Sequence, residues 1–454
     1  MTTPSLQDGI NEAGSPVDLL WRPDDAPWTP PVVAPEHAGW RQEQHAWHSA
    51  VALSDLSHHM SDTTIEGPDA TRLLSEVSAN DYRDFAVGRA KQFVPVAPDG
   101  NIITDGILLR EAEQRYLLSG VPAAQNWVRY HGANGGYDVE FGTDPDSRHR
   151  GGPPKLFRYQ VQGPLAGELV AAVFGGPLPP VRFFHTTPVE LRGMRFRALR
   201  HGMAGQPGFE FFGEWEHGAA VEEALLRAGE RFGLVRVGGF AYPTASMDSG
   251  WIPSPTPAIY TAPELSGYRE HLPLRSYEGV RPLTGSFFST DIEDHYCTPY
   301  ELGYGRSISF DHEFIGRDAL LKAKDDVRRT KVTLEFDPAD VRAALGGGFV
   351  HGYARNRVEV DGALVGVTHQ TDSFDPAGTV LALALVDREH ARTGTGVHVA
   401  WGEHPGPGTA PDADLGFPRI RATVHPAPYG EHARTRYRLN AYWVSVSMFI
   451  FTTP

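Results

Sequence analysis

A short run of strand, Gly-Pro and helix occurs twice, as IEGPDATRLL at residues 65–74 and VQGPLAGELV at residues 161–170, and this recurrence constrains the fold more than any other feature. In each copy a β-rich stretch stops at the glycine, and apolar residues at helical spacing follow the proline. Asp69 is placed to cap the first of these helices. The two copies suggest an internal duplication of one α+β unit. A chain of 454 residues is too long for one core, so two or three domains are expected. Its 49 glycines and 37 prolines argue for many turns and against an all-helical bundle.

Residues 1–45 are proline-rich and weakly periodic, which predicts an extended arm packed on the body. A first α+β unit is expected over 46–155, a second over 156–325 and a β-rich domain over 326–454. In the first, HSAVALSDLSHHMSDTTIEGP reads as a strand, a turn holding the polar cluster and a second strand. PDGNIITDGILL follows as a hairpin with Asp99-Gly100 at its turn, and AAQNWVRYHGANGG as a helix ended by glycine. GAAVEEALLRAGERFG reads as a helix of the second unit, and VEVDGALVGVTHQ as a hairpin turning at Asp361-Gly362.

The formal net charge of −15, with no run of lysines or arginines, leaves no basic stripe for a phosphate backbone, so nucleic acid is not an expected partner. No secretory signal is recognisable, and no stretch approaches the ~20 apolar residues that span a bilayer. YWVSVSMFIF at 442–451 is only strand-length and alternates with serine. No membrane association and a cytoplasmic location are expected. Cys297, the one cysteine, can form neither an intramolecular disulfide nor a thiolate cluster, and reads as a small half-buried residue. Phosphate-loop, zinc-protease, nucleophile-elbow and paired-CxxC motifs are missing. Only His58 and His59 are adjacent among the 20 histidines, and no metal is expected.

The run GMAGQPGFEFFGEW places a carboxylate, Glu210, between Phe209 and Phe211. On a strand, period two puts Glu210 on the face opposite those two rings, with Gly208 and Phe212 beside it. Such a glutamate either faces solvent or accepts a fork of N–H donors from a ligand with a guanidinium-like edge.

DLSHHMSDTTIEGPDATRLL, PDGNIITDGILL, GMAGQPGFEFF and ELGYGRSISFDHEFIGRDAL, in this order and spacing, resemble the glycine-cleavage T-protein family of folate-dependent one-carbon transferases. The likeness runs from about Trp40 to Trp401, and the VDGALVGVTHQ hairpin agrees with that family's C-terminal domain. GFAYPTASMDSGWIPSPTPAIYTAPEL, the doubled histidine and GWRQEQHAW are similar to the branch of tetrahydrofolate-dependent aryl O-demethylases acting on methoxylated aromatic acids. The resemblance implies an α+β, three-domain cloverleaf: two α+β domains with antiparallel sheets and a small C-terminal β-barrel-like domain around a central folate channel. It also implies tetrahydrofolate as methyl acceptor and an aromatic methoxy compound as substrate.

By the same resemblance Glu210 holds the pterin, with Gly208 and Phe209 beside it, and Trp251 stacks on the folate. Tyr242 takes the catalytic position. A phenol of unperturbed pKa about 10 is matched to a leaving phenoxide. His59, and secondarily His58, line the substrate side, against the reading of a structural histidine on a strand. Asp105 falls on an aspartate near the reacting folate nitrogens, against a turn-stabilising role. Two positions depart from the demethylase pattern: Val121 stands where an arginine pairs with the substrate carboxylate, and Leu56 where a glutamine helps hold folate. The loss of that arginine argues against a simple vanillate or syringate and for a more apolar or differently charged substrate. The expected reaction is removal of a methyl group from an aromatic methoxy compound, with one-carbon transfer onto a metabolite, or folate binding without catalysis, as alternatives.

Overall fold

Each copy of the recurrent motif runs out of the middle of a sheet, and the halves exchange their neighbouring strands. The computed structural model describes residues 3–23, 28–253 and 255–439. Ser61–Glu66, which leads into the first Gly-Pro, pairs antiparallel with Glu140–Asp144, the last strand before the second motif. Reciprocally, Leu156–Gln162, which leads into the second, pairs antiparallel with Val51–Asp55, the strand before the first. The two motif glycines meet the same demand. Gly67 and Gly163 have φ of +144° and +142°, and a side chain on either would overlap the carbonyl oxygen of Asp138 or Ala50 where the exchanged strand begins. Val51–Asp55 therefore belongs to the second unit's sheet, across the division expected at residue 155. The turn at Ser57–His59 is the crossover between the two sheets.

The first sheet has five strands in the order Ala90–Phe93, Gly106–Ala112, Arg115–Gly120, Ser61–Glu66, Glu140–Asp144. Ile65, Leu73, Leu118 and Trp127 bury its apolar face under the helices Ala70–Glu76 and Pro122–Asn134. The second has six strands in the order Leu234–Val237, Val51–Asp55, Leu156–Gln162, Gly208–Glu214, Met194–Leu199, Thr186–Leu191. One pair, Val51–Asp55 with Leu234–Val237, is parallel. Phe157, Val161, Phe211 and Leu225 form the second core, beneath Ala166–Phe174 and Gly218–Gly229.

In the C-terminal domain Ala363–Phe374 pairs with both Arg357–Val360 and Thr379–Asp387, which closes six strands into a barrel filled by Leu334, Val358, Ala382 and Val424. Its hairpin turns where the sequence places it, with Asp361 and Gly362 at φ of +51° and +82°, the left-handed pair a two-residue turn requires. The fold is thus α+β, with two mainly antiparallel sheets and a closed barrel.

Two local expectations are corrected. The N-terminal arm is partly helical: Leu6–Ala13, started by a capping box at Ser5, and Pro16–Leu20 bury Leu6, Ile10, Val17 and Leu20 in the first core. These helices are too short for their period to show among the prolines. Asp69 stands at its helix's N-cap position, but its carboxylate bonds Arg72 and the Asp138 amide, not the helix's own N–H groups. YWVSVSMFIF lies outside the described residues. Among the described residues no helix is long and apolar enough to cross a membrane.

Candidate active site

The site is built on the face of the six-stranded sheet that turns away from the second core. Alternation sends Phe157, Tyr159 and Val161 into that core and Arg158, Gln160 and Gln162 to the other face. Phe209 and Phe211 likewise enter the core, while Glu210 and Phe212 share the face with Arg158. Glu210 is 3% exposed, so it does not face solvent. Arg158 donates from Nη1 to Glu210 Oε1 at 2.7 Å and from Nη2 to the Asp62 carboxylate at 3.0 Å and Ser119 Oγ at 3.1 Å. It thereby ties the two sheets together. Burial opposes the guanidinium's charge, and the Asp62 and Glu210 carboxylates more than offset it, holding Arg158 above its usual pKa. Sequence reasoning missed Arg158, Asp62 and Gln160. The polar-apolar alternation of FRYQVQ was the available signal for Arg158 and Gln160.

The crossover turn separates the two histidines. His59 lies with its ring centroid 5.0 Å from that of Tyr242 and 5.7 Å from that of Trp28. Burial, then the charge of Arg158, lowers its pKa to about 3, so the ring is neutral, with Nδ1 buried and unpartnered among the described residues. His58 points elsewhere, Nδ1 lying 2.9 Å from Ser147 Oγ and the ring 5.7 Å from Trp215. His58 and His59 thus part, and of the two only His59 packs on the Tyr242 ring among the described residues. Both residues sit on a turn and not on a strand.

Tyr242 enters from the first turn of the helix Ala241–Ser249, anchored by its own N–H to the Gly238 carbonyl. Its ring lines a small cavity with Trp47, Ala52, Ser54, Gln160 and Ala204. Burial, then the negative charge of Glu210, raises the phenol well above its ordinary pKa of 10. The phenol therefore stays protonated, and the expected match to a phenoxide at an unperturbed pKa does not hold.

Asp105 and Trp251 form a second part of the site. The Trp251 indole donates to Asp105 Oδ2 at 2.8 Å and the Gln92 amide donates to the same oxygen at 2.6 Å. Oδ1 is buried with no partner among the described residues, and burial raises the carboxyl above the usual range. Asp105 stabilises no turn; it holds the indole. Lys331 is nearby, lowered by burial to about 8.

Two expectations at the glycine run, for Phe209 and Gly208, differ from the structure. Phe209 lies on the core side of the strand, so it cannot contact a ligand held by Glu210. A side chain at Gly208 would overlap the Val161 carbonyl, and one at Gly202 the Gln162 amide, so both glycines make room for protein and not for a ring. Val121 stands at the N-cap position of the helix Pro122–Asn134 with no side-chain capping bond, one residue beyond Gly120, which pairs with Ser61 at the start of the strand that follows His59. Leu56 is buried, its N–H on the Arg158 carbonyl. Cys297 is fully buried, its thiol pushed up to about 12 by burial. No three His, Cys, Asp or Glu side chains converge on a metal-sized space among the described residues.

Residues 23–254 match the model of the GCVT N-terminal domain. The chain is 36% identical to a syringate O-demethylase of a Sphingobium species, covering 95% of this chain and 97% of that one. It is 30% identical to a sesamin methylene transferase of a Sinomonas species, over 80% and 82% of the two chains. The aminomethyltransferase of Streptomyces coelicolor is 26% identical, over 82% and 87%. The solved glycine cleavage system aminomethyltransferase T of Bartonella henselae superposes with a TM-score of 0.62 at 18% identity, covering 89% of this chain and 92% of that one.

Proposed function

Since the chain belongs to the GCVT family, we propose that it moves a methyl group from an aromatic methoxy compound to tetrahydrofolate, leaving a phenol and 5-methyltetrahydrofolate. The observation that carries this reading is the pairing of Tyr242 with His59 above the Glu210–Arg158 face. The near full-length likeness to a syringate O-demethylase supports it.

The residues present fit the group. Glu210 spends one oxygen on Arg158, and its other oxygen makes no hydrogen bond among the described residues. Beside it across the strand pair, Gln160 keeps a buried, unpartnered Nε2. These two are the polar atoms on that face that a pterin edge would complete. Trp251, fixed in orientation by Asp105, offers a flat ring for stacking. Tetrahydrofolate, when bound, supplies the nitrogen nucleophile that accepts the methyl.

As the bond between methyl and oxygen breaks, its electron pair stays on the aryl oxygen. A protonated Tyr242 then donates to that oxygen, its raised pKa favouring hydrogen-bond stabilisation over complete proton loss. Neutral His59 adds a second uncharged partner without placing a cation beside the transferring methyl. Holding both reactants in line supplies much of the rate. In this reading 46–155 and 156–325, joined by the strand Val51–Asp55 in the second sheet, act as the two folate-facing units, with the barrel of residues 329–426 closing them.

Incubation with tetrahydrofolate and a panel of methoxyarenes, followed by chromatography for 5-methyltetrahydrofolate, tests the proposal. Folate binding with no methyl transfer from any panel member would reject demethylation. Label carried from methylene-folate onto an acceptor would favour the biosynthetic direction.

A further inference from the structure

Residues 28–35 of the N-terminal arm run from His59 to the start of the helix that carries Tyr242. At the helix end, Gly239 and Phe240 donate their N–H groups to the carbonyls of Ala34 and Pro35, at 2.8 and 3.0 Å. At the other end Trp28 packs on His59, with ring centroids 5.7 Å apart and 66° between the planes. Trp28 is only half-buried, unlike the core residues Trp47 and Trp127. An indole set against the histidine that faces Tyr242 stands where an aryl ring held beside that phenol would meet it.

Cations of two domains fix that end of the arm. His351, which pairs with Asp372 of the barrel strand Ala363–Phe374, has an acceptor at each ring nitrogen: Nδ1 lies 2.6 Å from Asp372 Oδ1 and Nε2 lies 3.1 Å from the Trp28 carbonyl. Asp372 is fully buried, and its other oxygen accepts from the Gln370 amide at 2.7 Å. A carbonyl and a carboxylate can only accept, so both nitrogens carry protons and the ring is an imidazolium. Burial opposes that charge, and Asp372, then the Trp28 carbonyl, more than offsets it, holding the imidazole above its usual pKa. Arg148, just past the first-sheet strand Glu140–Asp144, donates to the Thr29 carbonyl and sets its guanidinium 5.9 Å from the Trp28 ring. Its loop is tied in turn to His58, whose carbonyl accepts the Ser147 N–H at 2.8 Å and whose Nδ1 lies on Ser147 Oγ. Both members of the histidine pair thus bear on Trp28, His59 against its ring and His58 through the loop that holds it.

We propose that Trp28 is a specificity-determining residue for the methoxyarene, walling its ring pocket together with His59 and Tyr242, and that His351 is a positioning residue that acts on the substrate only through Trp28. The proposal rests on the methyl-transfer reading. His351 holds the arm by the backbone carbonyl of residue 28, which leaves the indole to present its face to a ring. Such a wall recognises the aromatic ring itself and not a charge on it.

The test is initial-rate kinetics of the full chain with tetrahydrofolate and two methoxyarenes, syringate with a carboxylate and 2,6-dimethoxyphenol without one, on wild type, W28A, H351N, H351Q and W28A/H351N. H351N keeps a donor for Asp372 and loses the one to Trp28, whereas H351Q keeps the donor to Trp28 and loses the other. In W28A and H351N the KM of both methoxyarenes rises about tenfold, with kcat changed less than about threefold and the calorimetric Kd of tetrahydrofolate unchanged. H351Q recovers most of that loss, and W28A/H351N is no worse than W28A, because the histidine acts through the indole. Should neither His351 variant fold by circular dichroism, R148M, at an exposed position, takes their place, compared with W28A/R148M in the same way. An unchanged KM in W28A, a loss confined to syringate, equal losses in H351N and H351Q, or an additive double variant overturns the proposal while leaving methyl transfer standing. A wild-type chain that transfers a methyl group from neither methoxyarene overturns both.

Discussion

Arg158 and Asp62 occupy equivalent positions of the two halves, each five residues before the glycine of its strand, Gly-Pro, helix motif, and their side chains are bonded across the exchange at 3.0 Å. The two copies of the motif thus differ where they meet, with a cation in one and a carboxylate in the other. Glu210 then adds a second carboxylate on the same guanidinium. The candidate pterin partner is therefore also part of the joint between the sheets.

Replacing Arg158 by Met leaves Asp62 and Glu210 buried without their cation, which is expected to cost about 3–5 kcal/mol. Urea denaturation monitored by circular dichroism measures this. A loss within error of zero would mean that the three groups are not desolvated as the structure has them.

Tyr242→Phe keeps the ring and removes only the hydroxyl. The expected result is a fall in kcat of roughly 10²- to 10⁴-fold with the tetrahydrofolate Kd and the melting curve unchanged. A variant with normal turnover would return Tyr242 to a packing role.

Asp105 holds Trp251 by one hydrogen bond, which Trp251→Phe removes while keeping an aromatic face. Leaving the buried Asp105 short of a donor should cost about 1–3 kcal/mol. Tetrahydrofolate affinity should fall as well if orientation of the ring matters, and calorimetric titration of the folded variant reads that second effect separately.

Burial, then Arg355 and Arg329, lowers His295 from an ordinary 6.5 to about 3. Below pH 6.5 the unfolded chain takes up a proton that the folded one refuses, so stability is full above that value and is lost as pH falls towards 3. The slope is roughly 1.4 kcal/mol per pH unit for each such histidine. His295→Asn should flatten the curve by that amount between pH 6 and 4, as urea midpoints at several pH values will show. An unchanged slope would mean that His295 titrates normally.

Gly208→Ala places a methyl on the Val161 carbonyl. Overpacking of about 1–3 kcal/mol is expected, with loss of soluble expression at the upper end. A fully stable variant would reopen the view that this glycine serves a ligand.

Much of the fold was legible because its signals are local. The Gly-Pro repeats, the Asp361-Gly362 turn and the glycine that ends Pro122–Asn134 each act within a few residues. Period two placed Glu210 opposite Phe209 and Phe211, as it stands. The arm helices were missed because their burial comes from contact with residues far along the chain, Leu6 bonding Leu272 through the backbone.

The sequence by itself determined the two α+β halves, the barrel hairpin and the face on which Glu210 lies, since backbone propensity and side-chain alternation are read within one strand or turn. Only the tertiary structure decided that Glu210 meets Arg158, that His59 turns to Tyr242 while His58 turns to Ser147, and that Phe209 is core. Those outcomes depend on the exchange of strands between the halves, a long-range pairing. Which buried charges then face one another follows from that pairing, and no local pattern encodes it.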